Sequence, residues 1–304
     1  MQPSRRTLSL DPDGGVILAP GANGHAQALT EAEAVTRALE AGEIRGTAAR
    51  ALAGAAALAL SARNRAPLRQ VEQLLPRLLA LGGPSGARSI LRLREVLEIT
   101  PQPDRDRRAR LELSLLEGDL LAEEEAQAHH LHSLLQAAGA THPGQTYRLL
   151  LDPALDGPGL NDPGPLGQAL ARTAEDGWSP EGVAWTPGTP GLTPGRAGLA
   201  LIAAPWARMD GTVALSPQAH AMASAAGIAG LPVWAVLAGD AVAEAGTAPP
   251  GDAALLPGSR LAGHVTIRGL ARATGGGLAA LFPERVAVDD GDLDPGLASP
   301  ANEA

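Results

Sequence analysis

The sequence predicts an α/β protein: a helical amino-terminal domain followed by a carboxyl-terminal domain built on a parallel sheet. Apolar residues recur at helical spacing over residues 30–138, which indicates amphipathic and buried helices. After Gly139, short apolar runs alternate with Ala-rich helical segments, a pattern typical of parallel strands joined by right-handed crossovers. We therefore predict four segments: an irregular arm (1–25), a helical domain (26–140), a parallel-sheet domain (141–288) and an acidic tail (289–304).

Five helices are predicted in the first half. In the first, a hydroxyl followed by acidic residues is typical of a helix start. The second is apolar on all faces, which predicts that it is buried. Gly82-Gly83-Pro84-Ser85 should separate the third helix from the fourth, with Ser85 as the amino-terminal cap of the fourth. The five predicted helices cover 30–41, 47–63, 68–81, 85–97 and 107–138.

The second half contains four short apolar runs that we interpret as buried strands. Two helical segments lie between them, and ligands of such sheets usually bind at the carboxyl ends of the strands. The Pro- and Gly-rich segments 186–196 and 245–258 are predicted to be loops, and Gly275-Gly276-Gly277 an ordinary turn. The predicted strands cover 147–151, 182–185, 199–204 and 231–237, and the predicted helices 166–173 and 217–229.

Composition excludes several kinds of chemistry. The sequence contains neither Lys nor Cys, so it can form no Schiff base, thiolate nucleophile, disulfide or zinc–sulfur site. Its net charge of −9 is opposite to that of a protein that binds a phosphate backbone, and we expect no nucleic-acid partner. The longest apolar run, 51–60, is too short to span a bilayer. We expect a soluble cytoplasmic protein without a membrane partner.

Other candidate sites have simpler interpretations. His129 and His132 share a face of one predicted helix, with His130 between them and Glu124 and Glu125 nearby, so a metal pair is conceivable. We interpret them as a solvated helix face and predict no metal and no cofactor. We interpret the Arg-rich segment 105–110 as the solvent-exposed start of a helix. The sequence has no Gly-x-Ser-x-Gly elbow and no Gly-x-Gly-x-x-Gly after a strand.

The segment before the second helix could bind an anion. Arg45, Gly46 and Thr47 open a buried helix, and the N–H groups at a helix start bind anions. An arginine adds a forked donor. The alternative is a tight turn between helices that uses Gly46.

Two stretches of the chain resemble the superfamily of methylthioribose-1-phosphate isomerase and initiation factor 2B. Residues 43–60 resemble its I-R-G-A turn and Ala-rich helix, and Gly83-Pro84-Ser85 stands where the family has R-P-T. Residues 199–237 resemble a longer family pattern, in which an apolar strand ends in G-A-D and is followed by an N-G-x-V turn and a G-x-P-x-x-V strand. The N-G-x-V turn matches Asp210-Gly211-Thr212-Val213, and the G-x-P-x-x-V strand matches the segment that begins Gly230-Leu231-Pro232-Val233. The resemblance covers about 30–240 and implies a Rossmann-like (NagB/RpiA-type) carboxyl-terminal domain, commonly the dimer interface.

The departures from the family concern its chemistry. In the isomerase, a cysteine and an aspartate transfer the protons that move the carbonyl from C1 to C2. This chain has no cysteine, and Pro205 stands at the aspartate position. Leu215 and Ser216 replace the Asn-Lys pair, and Gly83 replaces the arginine that holds phosphate.

The sequence therefore predicts a non-catalytic relative that binds a phosphorylated small molecule or a protein partner, as a homodimer. An apolar dimer patch would include Trp206 and Trp234. One alternative is an aldose–ketose isomerase with a reassigned base, for which Asp152 and Asp210 are the candidates. Another is a regulatory subunit like those of initiation factor 2B. The predicted phosphate-binding residues are Arg45, Gly46, Thr47 and Ser85.

Overall fold

Three short strands precede the helices. A computed structural model describes residues 8–11, 15–18, 26–63, 68–141, 147–156, 164–186, 198–239, 241–243, 253–272 and 277–283. In it, β1 (Leu8–Leu10), β2 (Val16–Leu18) and β3 (Gln27–Leu29) form an antiparallel sheet. The prediction of an irregular arm is therefore wrong for β1 and β2, because strands of three residues are too short for alternation to show. The predicted acidic tail lies outside the described residues.

Four helices follow: α1 (Ala32–Glu40), α2 (Thr47–Arg63), α3 (Leu68–Ile99) and α4 (Arg105–Thr141). The burial predicted for the second helix is confirmed, since α2 is the centre around which α1, α3 and α4 pack. Its many alanines leave little volume between backbones, so neighbouring helices approach closely. A Cβ added at Gly86 of α3 would already lie in van der Waals contact with Ala51, 3.4 Å from its Cα.

The chain reverses direction within α3. Arg94 Nη2 lies 3.6 Å from Glu72 Oε1, whereas a straight helix would separate these residues by roughly 33 Å. The two halves of α3 therefore run antiparallel and meet near Gly82 and Gly86, where the sequence predicted a break. The predicted third and fourth helices are therefore the two arms of one helical element, α3, and the prediction that they are separate helices is wrong. The side chain of Ser85, proposed as a cap and phosphate ligand, lies outside the described residues.

The second half of the chain forms two sheets. The larger has the order β13-β12-β9-β6-β4-β5 and is parallel except for the β12–β13 pair. The smaller has the order β10-β7-β8-β11. The strands are β4 (Arg148–Leu151), β5 (Glu181–Ala184), β6 (Gly198–Ala204), β7 (Trp206–Arg208), β8 (Val213–Leu215), β9 (Val233–Leu237), β10 (Val242–Ala243), β11 (Ala254–Leu256), β12 (Gly263–Val265) and β13 (Leu270–Arg272).

Helices cover both faces of the larger sheet. They are α5 (Gly164–Glu175), α6 (Pro217–Ile228) and the short α7 (Gly277–Leu281). The four predicted strands and two predicted helices are confirmed within two residues. Strand β11 lies inside the segment predicted to be a loop, because one strand of three residues between Pro and Gly clusters carries almost no pattern.

Helix α4 joins the two halves. It is 37 residues long, and its first half packs in the amino-terminal core through Leu113 and Leu116. Its second half packs on the larger sheet through Leu131 and Leu135. Among the described residues, no helix is long and apolar enough to cross a membrane.

Candidate functional site

A cleft of about 400 Å³ lies at the carboxyl ends of β4, β6 and β9, which is where parallel sheets bind ligands. The amino end of α2 and the middle of α4 form the facing wall. The lining residues are Gly46, Thr47, Ala48, Arg50, Leu120, Glu123, Glu124, Gln127, Leu131, Asp152, Ala154, Leu155, Pro165, Leu166, Ala203, Ala204, Pro205, Ser216, Val236, Ala238, Gly239 and Ile267.

The first turn of α2 forms one end of the cleft. Gly46 has a φ of +85°, a conformation that favours glycine and turns the chain into the helix. The N–H of Arg50 donates to the Gly46 carbonyl at 3.0 Å, which closes the first helical turn. The N–H groups within that turn have no partner inside the helix. Gly46 and Thr47, both predicted to bind phosphate, therefore line the cleft at the amino terminus of a helix.

The arginine in the cleft is Arg50 rather than Arg45. Arg45 is exposed, its Nε donates to the Gly42 carbonyl at 3.3 Å, and it does not line the cleft. Arg50 lies one turn into α2, where its Nε donates to the Leu81 carbonyl at 3.0 Å and its Nη2 donates to the same oxygen. The sequence carried a signal for it, because Arg50 is the one charged residue between Ala48 and Ala62 in a buried helix.

Carboxylates line both walls of the cleft, Asp152 on the strand side and Glu123 and Glu124 on α4. Asp152 is 2% exposed, and its two oxygens accept the N–H groups of Ala154 and Ala203, each at 3.1 Å. These bonds join the end of β4 to β6. Glu124, on α4, is 6% exposed, and Glu123 beside it forms an ion pair with Arg88. Sequence reasoning considered Glu124 only as a metal ligand, because its position in the cleft depends on the rotation of α4.

Asp210, the second candidate base, does not line the cleft. It lies in the turn between β7 and β8, its side chain is 56% exposed, and its Oδ1 accepts the N–H of Thr212 at 2.8 Å. The next residue, Gly211, presents its carbonyl oxygen 2.9 Å from Nε2 of the buried His264. Burial lowers the pKa of His264 below its ordinary value.

Two of the positions that differ from the isomerase pattern, Pro205 and Ser216, line the cleft. Pro205 follows β6, and Ser216 caps α6 by accepting the N–H of Ala219 at 3.1 Å. Neither side chain titrates in the physiological range. The cleft thus keeps the location of a ligand site but has no ionisable group at these two positions.

The three histidines of α4 have separate surroundings. His130 Nδ1 lies 2.8 Å from the Thr266 carbonyl, and His132 Nε2 lies 2.7 Å from Asp176 Oδ2. The bond from His132 lowers the pKa of Asp176. The interpretation as a solvated face is wrong for these two, which join α4 to the sheet domain. No group of three or more potential metal ligands occurs among the described residues.

The two tryptophans proposed for a dimer patch pack within the chain. Trp206 is buried, with the Arg208 guanidinium 5.6 Å from the centre of its ring. Trp234 is half-buried against Gly263, whose missing Cβ would lie 2.6 Å from the indole. The prediction of an exposed patch is therefore wrong for Trp206.

Comparison with known proteins identifies the fold. 5-Methylthioribose 1-phosphate isomerase from Pyrococcus horikoshii OT3 superposes with a TM-score of 0.64 at 16% identity, over 92% of this chain and 96% of that chain. The delta subunit of translation initiation factor eIF-2B from A. fulgidus gives 0.58 at 17%, over 88% and 96%. A chain of the tetrameric eIF2B-beta2-delta2 complex from C. thermophilum gives 0.55 at 13%, over 84% and 94%. No protein-family model matches the sequence, and no curated protein sequence matches it.

Proposed function

We propose that this chain, which has the fold of those isomerase and initiation-factor structures, is a non-catalytic protein that binds a phosphorylated small molecule in the cleft. The observation that supports this most is the content of the cleft. A helix amino terminus and a guanidinium line it, whereas the chain has no cysteine and carries Pro205 where the family pattern has an aspartate.

The phosphate would bind at the α2 end. The amino terminus of a helix carries about half a positive charge, and its N–H groups converge on an anion. Arg50 adds two or more N–H donors from the same turn. Because its Nε already donates to the Leu81 carbonyl, the guanidinium is held in place before a ligand arrives, which reduces the entropy lost on binding.

Isomerisation would require one group to remove a proton and another to deliver it. A positioned general acid or base raises the reaction rate by about 10²–10⁴-fold, so the loss of both would greatly reduce the rate of isomerisation. The isomerase alternative depends on Asp152, since it is the candidate base that lines the cleft. Its two oxygens each accept a backbone N–H, which suits a structural role better. Turnover of an aldose 1-phosphate to a ketose phosphate by the wild type, abolished in an Asp152→Asn variant that circular dichroism shows to be folded, would support the alternative.

A thermal-shift series with ribose 5-phosphate, glycerol 3-phosphate and nucleoside monophosphates tests the proposal. A ligand at a hundredfold excess over its Kd stabilises the folded state by about 2.7 kcal/mol. We expect the shift to disappear in Arg50→Gln and to persist in Arg45→Gln, each measured against the same variant without ligand. The proposal fails if no phosphorylated compound raises the Tm. A shift that persists in Arg50→Gln would place the site outside the cleft.

A homodimer is a further part of the proposal. Ile228, at the carboxyl end of α6, is 91% exposed, and its burial against a second copy would stabilise a dimer. Sedimentation of the wild type should give twice the mass of one chain, and Ile228→Glu should sediment as a monomer. Ile99→Glu, a matched change at an exposed site of α3, should leave the dimer intact. A monomeric wild type would refute this part and weaken the comparison with assembled initiation-factor subunits.

A further inference from the structure

We infer that the phosphorylated ligand is the phosphate monoester of a short apolar chain rather than of a sugar. This inference rests on the proposed function, because it takes the phosphate to bind at the amino terminus of α2. It concerns the rest of the cleft, where the carbon chain of the ligand would lie. Two features of the cleft support it: its apolar side chains, and the hydrogen bonds that its polar side chains already make.

Most of the large side chains that line the cleft are apolar. They come from α4, the turn after β4, the start of α5, strand β9 and the loop after β12, so no single element supplies the apolar surface. Three of them, Leu155, Pro165 and Ile267, are half-buried, and part of each side chain is therefore open to a ligand. The apolar residues of the cleft include Leu131, Leu155, Pro165, Leu166, Val236 and Ile267.

The polar side chains of the cleft that lie outside α2 already make hydrogen bonds within the chain. Both oxygens of Asp152 accept backbone N–H groups, and the Ser216 hydroxyl accepts the N–H that it caps at the start of α6. The side-chain amide of Gln127 donates to the Leu237 carbonyl. These three side chains therefore have less capacity left for the hydroxyl groups of a sugar.

The two glutamates of α4 in the cleft also interact within the chain. Glu123 forms an ion pair with Arg88, and Glu124 is 6% exposed and has a partner as well. A ligand hydroxyl would compete with these partners or remain unpaired. An unpaired hydroxyl that is taken out of water weakens binding by about fivefold or more, and a sugar carries several hydroxyls.

An apolar chain gains affinity from the same surroundings. Each methylene that moves from water to an apolar environment strengthens binding by about threefold. The cleft volume of about 400 Å³ is near the lower end of the range of roughly 300–1,000 Å³ that is typical of small-molecule sites. The cleft is therefore suited to a phosphate with a short chain.

The test compares alkyl phosphates with polyol phosphates of the same carbon number. Methyl to pentyl phosphate are titrated by calorimetry, together with glycerol 3-phosphate and ribitol 5-phosphate, and inorganic phosphate serves as the reference. We expect the affinity to rise about threefold per methylene from ethyl to pentyl phosphate. Pentyl phosphate should bind about tenfold more tightly than ribitol 5-phosphate, or better.

Variants separate the contribution of the chain from that of the phosphate. Leu155→Asn places a polar group against the chain, so the gain per methylene should fall below about twofold. Arg50→Gln should weaken the binding of every alkyl phosphate by a similar factor and leave the gain per methylene unchanged. Leu111→Asn is the matched control and should bind as the wild type does, because Leu111 is 51% exposed on α4 and does not line the cleft. Ile267→Asn takes the place of Leu155→Asn if that variant does not fold.

The outcomes distinguish this inference from the proposed function. An affinity that does not rise with chain length, or ribitol 5-phosphate binding as tightly as pentyl phosphate, would overturn the inference and leave the phosphate-binding proposal intact. A gain per methylene that folded Leu155→Asn or Ile267→Asn retains in full would place the chain outside the cleft and overturn the inference as well. Binding of none of the phosphates would overturn both.

Discussion

Replacing Asp152 with asparagine distinguishes a structural carboxylate from a catalytic one. The Asp152 carboxylate is 2% exposed and accepts the N–H groups of Ala154 and Ala203. Asparagine keeps one acceptor oxygen and places an NH₂ group against the other N–H. One buried N–H is then unsatisfied, which costs about 1–3 kcal/mol, and the remaining bond changes from charge-assisted to neutral, which costs about 1 kcal/mol more. We therefore expect Asp152→Asn to lower the free energy of unfolding by about 2–4 kcal/mol.

Asp210→Asn is the matched control. Asp210 also accepts one backbone N–H, but its side chain is 56% exposed, so water can replace the lost acceptor. We expect a change below about 0.5 kcal/mol, as for most surface substitutions. Urea unfolding followed by circular dichroism measures both values at pH 7. A loss below about 1 kcal/mol in Asp152→Asn, or equal losses in the two variants, would refute the structural role of the Asp152 carboxylate.

Three further predictions concern stability. Burial lowers the pKa of His264 in the folded state. Between that pKa and the unfolded value near 6.5, the unfolded state therefore binds more protons than the folded state. The free energy of unfolding of the wild type should fall as the pH drops through this window, and His264→Gln should show a smaller dependence on pH. Unfolding curves at pH 5–8 measure it, and equal slopes would contradict it. Gly263→Ala places a Cβ 2.5 Å from the Ala271 carbonyl oxygen and should cost about 1–3 kcal/mol. Gly118→Ala meets nothing within 4 Å in α4 and should stabilise by about 0.5–1 kcal/mol; a loss in Gly118→Ala would show that the helix packs differently there.

The central strands of the larger sheet, β4, β6 and β9, could be predicted from sequence because they are buried. In β4, Leu149 and Leu151 pack on the side of α4 and α5, and Leu150 packs on the opposite side. A strand of this kind is a continuous apolar run bounded by polar or Pro-containing turns, which the sequence displays directly. Strands β1, β2 and β11 have three residues each, and such short segments are defined by their partners rather than by their own pattern.

The position at which the chain reverses within α3 was predictable for a different reason. Two glycines and a proline weaken a helix locally whatever surrounds them. The direction taken by the chain after them was not predictable, because it depends on Ala51 and the rest of α2 accepting the close approach of Gly86. The ion pair between Arg94 and Glu72 follows from that packing and does not cause it.

The sequence predicted Arg45 in the cleft, but the structure places Arg50 there, which shows why the site was harder to predict than the fold. Arg45 belongs to the Arg-Gly-Thr motif and precedes α2. Because it lies outside the helix, helical geometry does not determine whether its side chain points toward the cleft. Arg50 lies four residues after Gly46 and three after Thr47, so helical geometry places it above both. The side of α2 that contains Gly46 and Thr47 lines the cleft, and Arg50 must therefore line it as well. An anion bound at the start of α2 would therefore be contacted by Arg50, the residue one turn inside the helix.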